Sequence, residues 1–253
     1  MTTKFITSKD GTRIAYDVTG EGPALMLLHG AGKTRKDWHK TGYIARLSQD
    51  FTVINVDIRG SGESDTPDQI TDYAIETIAA ELAQIVDACE VDRYRIWGFS
   101  FGGNIAKYLA AHSPRVQAVV VGGVSFGTAV PPEFDRYIDS FIKKYGPLAE
   151  QMQNGTLPPA KSQSAIKGRI PVWIACFQAM RSWPDVNADQ IPCPKMLVVG
   201  TKNRSAYEWA KEHHTKLSET GVKVAIFEGL THSQEFSEIH LVFPEVLAFL
   251  KQN

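Results

Sequence analysis

Two kinds of apolar segment alternate along the chain. Short runs with no polar face, ALMLLH (24–29), FTVINVD (51–57), YRIWGF (94–99), VQAVVVGGV (116–124), KMLVVG (195–200) and KVAIFEG (223–229), suit strands buried inside a parallel sheet. Between them lie segments whose apolar residues recur every three or four positions. In 72–89 these are Ile75, Ile78, Ala79, Leu82, Ile85 and Val86, the stripe of a helix packed on a sheet. Similar patterns predict helices over 38–48, 103–112 and 206–218, and a last one starting near Pro244. Ahead of the first run, KFITS and RIAYDV alternate with period two around KDGT, which predicts a hairpin turning at Asp10-Gly11. Right-handed crossovers between successive parallel strands then give an α/β fold: a mostly parallel eight-stranded sheet with helices on both faces.

Residues 125–191 break the alternation. They hold proline pairs at Pro131 and Pro158, two polar helical patches and the aromatic stretch IPVWIACFQAMRSWP. Both ends return to the same sheet, so the segment is expected to be a small helical lid between strands 6 and 7. Residues 1–124 and 192–253 then form one core, a size that a single domain accommodates among 253 residues.

Composition narrows the function. With 43% hydrophobic and 22% charged residues, the chain matches soluble globular proteins. A formal net charge of −1 provides no basic face for nucleic acid or an anionic membrane. No apolar run approaches the roughly 18 residues of a membrane span, and the N-terminal MTTKFITSKDGTR lacks the apolar core of a signal peptide. Cys89, Cys176 and Cys193 are odd in number and form no CxxC pair, which fits reduced thiols in packing roles. The expectation is a cytoplasmic protein that handles a small molecule without a cofactor or metal.

One motif carries chemistry. The strand YRIWGF runs directly into Gly98-Phe99-Ser100-Phe101-Gly102 and then into the helical GNIAKYLAAH. A sharp strand-to-helix turn has no room for side chains at the flanking glycines and thrusts the serine hydroxyl outward at a helix N-terminus. Ser100 is the candidate nucleophile, and a serine needs a base. Of seven histidines, His232 lies in EGLTHSQEF just after the last strand, at the same carboxyl edge of the sheet as Ser100. His29 belongs to a turn and His112 to a helix end, while His39, His213, His214 and His240 fall in helical segments, with no HxxxH or HxH spacing for a metal.

Acyl transfer also needs donors for a developing oxyanion. The small residues of His29-Gly30-Ala31-Gly32 let a second loop come close, making the N–H groups of Ala31 and Phe101 the expected oxyanion hole. Two nucleotide-binding readings fail. HGAGKT has Leu27 where a phosphate-binding loop needs its first glycine, and RGSGESD lacks the third glycine of a dinucleotide motif.

With these residues in view, the chain resembles the α/β-hydrolase fold superfamily over essentially its whole length. The resemblance rests on DGTRIAYD, LLHGAG, VDIRGSGESD, GFSFGG and GLTH. It implies a serine, acid, histidine triad whose acid follows the penultimate strand, at Gly200-Thr201-Lys202-Asn203. Family members usually carry aspartate where this chain has Asn203. A neutral amide lacks the charge that stabilises the imidazolium, and if its NH₂ faced His232 it would favour the tautomer that cannot act as base. In a serine protease, the same change lowers turnover by about 10⁴. Three explanations stand: the amide oxygen accepts from His232, the residue was introduced to trap a complex, or another carboxylate substitutes. Glu208 and Glu235 are the nearby acids, both expected on the surface, so Asn203 itself is taken as the third member.

Phe99 and Phe101 beside the serine, and Trp173, Phe177, Met180 and Trp183 at helical spacing in the insertion, suggest either packing or an apolar cavity. The leading expectation is a cofactor-free carboxylic ester hydrolase for a small to medium uncharged substrate. The alternatives are a ligand-binding or catalytically weakened member, which Asn203 favours, or a C–C hydrolase, lyase or cofactor-free oxygenase on the same fold.

Overall fold

The computed structural model describes residues 2–156 and 169–253; Pro158 lies outside them. The hairpin forms as expected from β1 (Lys4–Thr7) and β2 (Arg13–Thr19), with Lys4 opposite Tyr16 and Thr7 opposite Arg13. Six further strands follow: β3 (Ala24–Leu28), β4 (Thr52–Val56), β5 (Tyr94–Phe99), β6 (Val116–Gly122), β7 (Lys195–Gly200) and β8 (Val222–Phe227). They build one sheet in the order β1-β2-β4-β3-β5-β6-β7-β8. The two pairings made by β2 are antiparallel and the other five are parallel.

Side chains alternate across each strand, so the apolar runs feed two cores. Met26, Leu28, Ile96, Val119 and Val121 face one layer, with α3 (Ile75–Ala88) and α4 (Phe101–His112). Leu25, Leu27, Trp97, Ala118 and Val120 face the other, with α1 (Arg35–Lys40) and α2 (Tyr43–Leu47). The helix expected over 38–48 is divided because Gly42 adopts a left-handed conformation (φ 85°) between α1 and α2.

Between β6 and β7, α5 (Pro132–Gln153) and α6 (Ile170–Met180) pack on each other through Phe141, Phe134 and Phe177. The predicted helix over 206–218 is two segments, α7 (Arg204–Glu212) and α8 (His214–Glu219), separated at His213. A short α9 (Gln234–Ser237) leads into α10 (Ile239–Gln252). This last helix starts upstream of Pro244 and runs through it. Burial of Ile239, Val242, Phe243, Val246, Phe249 and Leu250 outweighs the one backbone bond the proline cannot make.

The VDIRGSGESD turn is a junction of buried charge. The Asp57 carboxylate accepts from the N–H of Arg35 at 2.7 Å and of Glu63 at 2.9 Å, and pairs with the Arg35 guanidinium, which also reaches Asp17 and Glu63. Gly62 is required, since a Cβ there would overlap the Asp57 carboxyl. Two residues after Asp57, Arg59 is buried with Glu81 and also bonds Asp10 and the Asp72 carbonyl. His39 on α1 is half-buried and bonds Asp17 at 3.2 Å.

Removing one partner of a buried pair strands the other charge. Glu81→Ala should therefore lower stability by about 3 kcal/mol in urea denaturation, whereas loss of the exposed Lys211–Glu208 pair should cost under about 1 kcal/mol.

Candidate active site

Ser100 sits between β5 and α4 with φ 55° and ψ −114°, a conformation that non-glycine residues adopt only when their surroundings impose it. The flanking glycines permit it. A Cβ on Gly98 would overlap the Gly102 carbonyl, and one on Gly102 would overlap that of Leu28. The turn is tied to both neighbouring strands: Ser100 N–H donates to the Gly122 carbonyl at 2.8 Å, and Gly102 N–H to the His29 carbonyl at 3.1 Å.

His232, on the loop between β8 and α9, brings Nε2 to 3.0 Å from the Ser100 Oγ. Phe99 packs against its ring at 5.0 Å between centroids, and Phe236 packs in turn on Phe99. Burial holds the imidazole below its ordinary pKa, with Lys33 adding to the depression and a hydrogen bond to the Gly123 carbonyl opposing it. The ring is thus neutral near pH 7, the state a base requires.

The loop carrying Ala31 comes close to the serine turn. A Cβ on Gly30 would stand 3.2 Å from Ser100 Cβ, so little space separates the two backbones. Phe101 is the first residue of α4, where an N–H has no intrahelical acceptor, and both Ala31 and Phe101 line the cavity above Ser100. His29 braces this loop. Its buried Nε2 accepts from Ile58 N–H at 3.1 Å while Nδ1 bonds the Gly30 carbonyl at 2.9 Å.

The cavity measures about 620 Å³. Trp173, Phe177 and Met180 line it, joined by Phe134, Tyr137 and Phe141 of α5. Trp183 instead packs on Phe101 and donates from Nε1 to the Tyr73 carbonyl at 3.0 Å. Lys107 lies behind the cavity wall, fully buried on α4, its Nζ bonded to the carbonyls of Ser125, Gly127 and Thr128. Burial lowers its pKa to about 7. Nothing in its helical pattern marked it, because only the folded chain brings the loop after β6 over that position. Among the described residues no group of three His, Cys, Asp or Glu side chains gathers as a metal site.

A family model described as alpha/beta hydrolase fold matches residues 23–155. The chain belongs to the alpha/beta hydrolase fold family. An uncharacterised protein of Mycobacterium tuberculosis is 36% identical over 119 residues, 46% of this chain and 34% of that protein. A soluble epoxide hydrolase of a Corynebacterium strain is 34% identical over 101 residues, 40% of this chain and 34% of that enzyme. The matched region thus spans about a third of the length of these two relatives. An esterase of Exiguobacterium antarcticum shares the fold, with a TM-score of 0.76 at 22% identity over 99% of this chain and 100% of that one.

This alpha/beta hydrolase departs from the usual pattern at Asn203. Although Asn203 stands at the N-cap of α7, its side chain makes no capping bond. The amide nitrogen instead donates to the Gly123 carbonyl at 3.1 Å and to Glu235 Oε1 at 2.9 Å, and lies 3.2 Å from His232 Nδ1. Two oxygens engage its two protons, leaving none for Nδ1. The imidazole also bonds the Gly123 carbonyl, and its Nε2 stands against the Ser100 hydroxyl, the nitrogen placed to receive the serine proton.

Glu235, expected on the surface, is 2% exposed. Its Oε1 also accepts from Gly200 N–H at 2.7 Å, while Oε2 is buried without a partner among the described residues. Burial pushes the carboxyl up to about 7, against the lowering effect of the Gly200 and Asn203 bonds. The four-residue α9 is too short to display a periodicity that could have predicted an inward face.

A folded-state pKa raised from an ordinary 4.5 means that the native protein binds this proton more tightly than the unfolded chain. The resulting stability is complete below about pH 4.5 and is lost as pH rises through about 7. Urea denaturation at pH 5 and pH 8 should show wild type losing on the order of 1–3 kcal/mol relative to Glu235→Gln.

Proposed function

We propose that the chain is a serine hydrolase acting on small to medium uncharged esters through an acyl-enzyme. The observation that carries this reading is the 3.0 Å contact between Ser100 Oγ and His232 Nε2 at the floor of the aromatic cavity. Ser100 Oγ attacks the carbonyl carbon as its proton passes to Nε2, and the N–H groups of Ala31 and Phe101 receive the oxyanion. Collapse expels the alcohol, which takes the proton from His232. Water then attacks the acyl-serine, giving a proton to His232, and collapse releases the acid as Ser100 Oγ takes that proton back. Asn203 and Gly123 hold the imidazole in register. The helices α5 and α6 act as the lid, and their aromatic side chains select an apolar acyl or alcohol group. Neither lysine nor arginine is among the described residues lining the cavity, which disfavours an anionic substrate.

A second reading, a member that binds its ligand but turns it over weakly, is favoured by the amide nitrogen standing beside Nδ1 where a carboxylate would ordinarily be. Nitrophenol release from short-chain esters decides between them. Ser100→Ala and His232→Ala should each reduce kcat by roughly 10³-fold or more if Ser100 is the nucleophile. Release that survives Ser100→Ala undiminished would remove the acyl-enzyme reading, and ester binding without Ser100-dependent release would establish the second.

A further inference from the structure

We infer that Glu235 is a positioning residue for the Ser100–His232 pair: through the Asn203 carboxamide it supplies, one residue removed, the negative charge that an acid at position 203 would place beside the imidazole. This rests on the serine hydrolase reading. The geometry is a continuous chain of contacts: Glu235 Oε1 to Asn203 Nδ2 at 2.9 Å, Asn203 Nδ2 to His232 Nδ1 at 3.2 Å, and His232 Nε2 to Ser100 Oγ at 3.0 Å. Glu235 is buried, and its bond to Gly200 N–H, at the end of β7, fixes it against the loop that carries Asn203. Contacts between Thr201 N–H and the Phe227 carbonyl at 3.0 Å, and between Lys202 N–H and the Leu230 carbonyl at 2.9 Å, hold that loop to the one carrying His232.

The same geometry explains why position 203 holds an amide. Its side-chain nitrogen faces two oxygens, the Gly123 carbonyl and Glu235 Oε1. An aspartate there would confront both with acceptors only, and a second carboxylate within hydrogen-bond reach of Glu235 could ionise only at the other's expense. Asn203 and Glu235 are therefore a matched pair in which one member carries the charge and the other the protons.

The inference predicts a sign reversal. Gln at 235 keeps an oxygen for Gly200 and Asn203 but loses the charge, so at pH 8 Glu235→Gln alone should lower kcat about tenfold with KM nearly unchanged, and lower the His232 pKa seen by imidazole NMR. In the Asn203→Asp background, the same Glu235→Gln change should raise kcat at least tenfold, because it relieves the clash of two carboxyls. Asn203→Asp alone should gain no more than about threefold. A merely structural role for Glu235 would move kcat in the same direction in both backgrounds and leave the His232 pKa in place; either result overturns the inference. If Glu235→Gln fails to fold, Asn203→Asp decides, since a gain above tenfold with Glu235 intact is incompatible with a matched pair. The NMR measurement needs no turnover. If Ser100→Ala shows that the hydrolase reading is wrong, the His232 pKa in Glu235→Gln by itself upholds or overturns the coupling.

Discussion

The site depends on a close backbone contact between the loop after β3 and the first turn of α4. Gly102 N–H donates to the His29 carbonyl, in a space where any Cβ on Gly102 would overlap the Leu28 carbonyl. That approach sets Ala31 beside the serine turn and leaves Ser100 in a conformation it would not adopt unaided. The cost of that strained residue is offset by parallel-sheet packing on either side and by its own bond to Gly122. The geometry around the hydroxyl is thus a property of the sheet edge as a whole.

Loops without a core of their own are held by buried charge. Asp57 with Arg35 shapes the turn after β4, Arg59 with Glu81 fastens that turn to α3, and the Lys107 ammonium gathers three carbonyls of the loop after β6. Each charge has several partners, as burial in a medium of low dielectric demands. The glycine-rich RGSGESD turn, part of a dinucleotide-like pattern, is explained by this architecture: at Gly62 the backbone passes close to the Asp57 carboxylate.

The departure at position 203 belongs to a wider change in where charge is placed. An amide beside the imidazole would by itself weaken a base, yet here its protons are engaged by Gly123 and Glu235, and the imidazole also bonds a main-chain carbonyl. The nearest carboxyl, that of Glu235, stands behind the amide. Position 203 has to be understood together with Glu235.

Much of this was legible from the chain alone. Hydrophobic periodicity located eight strands and most helices, because a strand buried on both faces and a helix buried on one leave distinct local patterns. The glycines around Ser100 and the placement of His232 after the last strand marked the candidate pair, since steric exclusion at a sharp turn and strand order are both written in sequence. Glu235 and Lys107 were not legible. Each is a charged residue on a helix, which local pattern assigns to solvent, and only the tertiary structure brings Gly200, Asn203 and three loop carbonyls to them. Sequence determines what a residue can donate or accept and which local conformations it favours. Whether a charge is buried, and opposite what, depends on partners tens of residues away that meet only when the sheet is assembled.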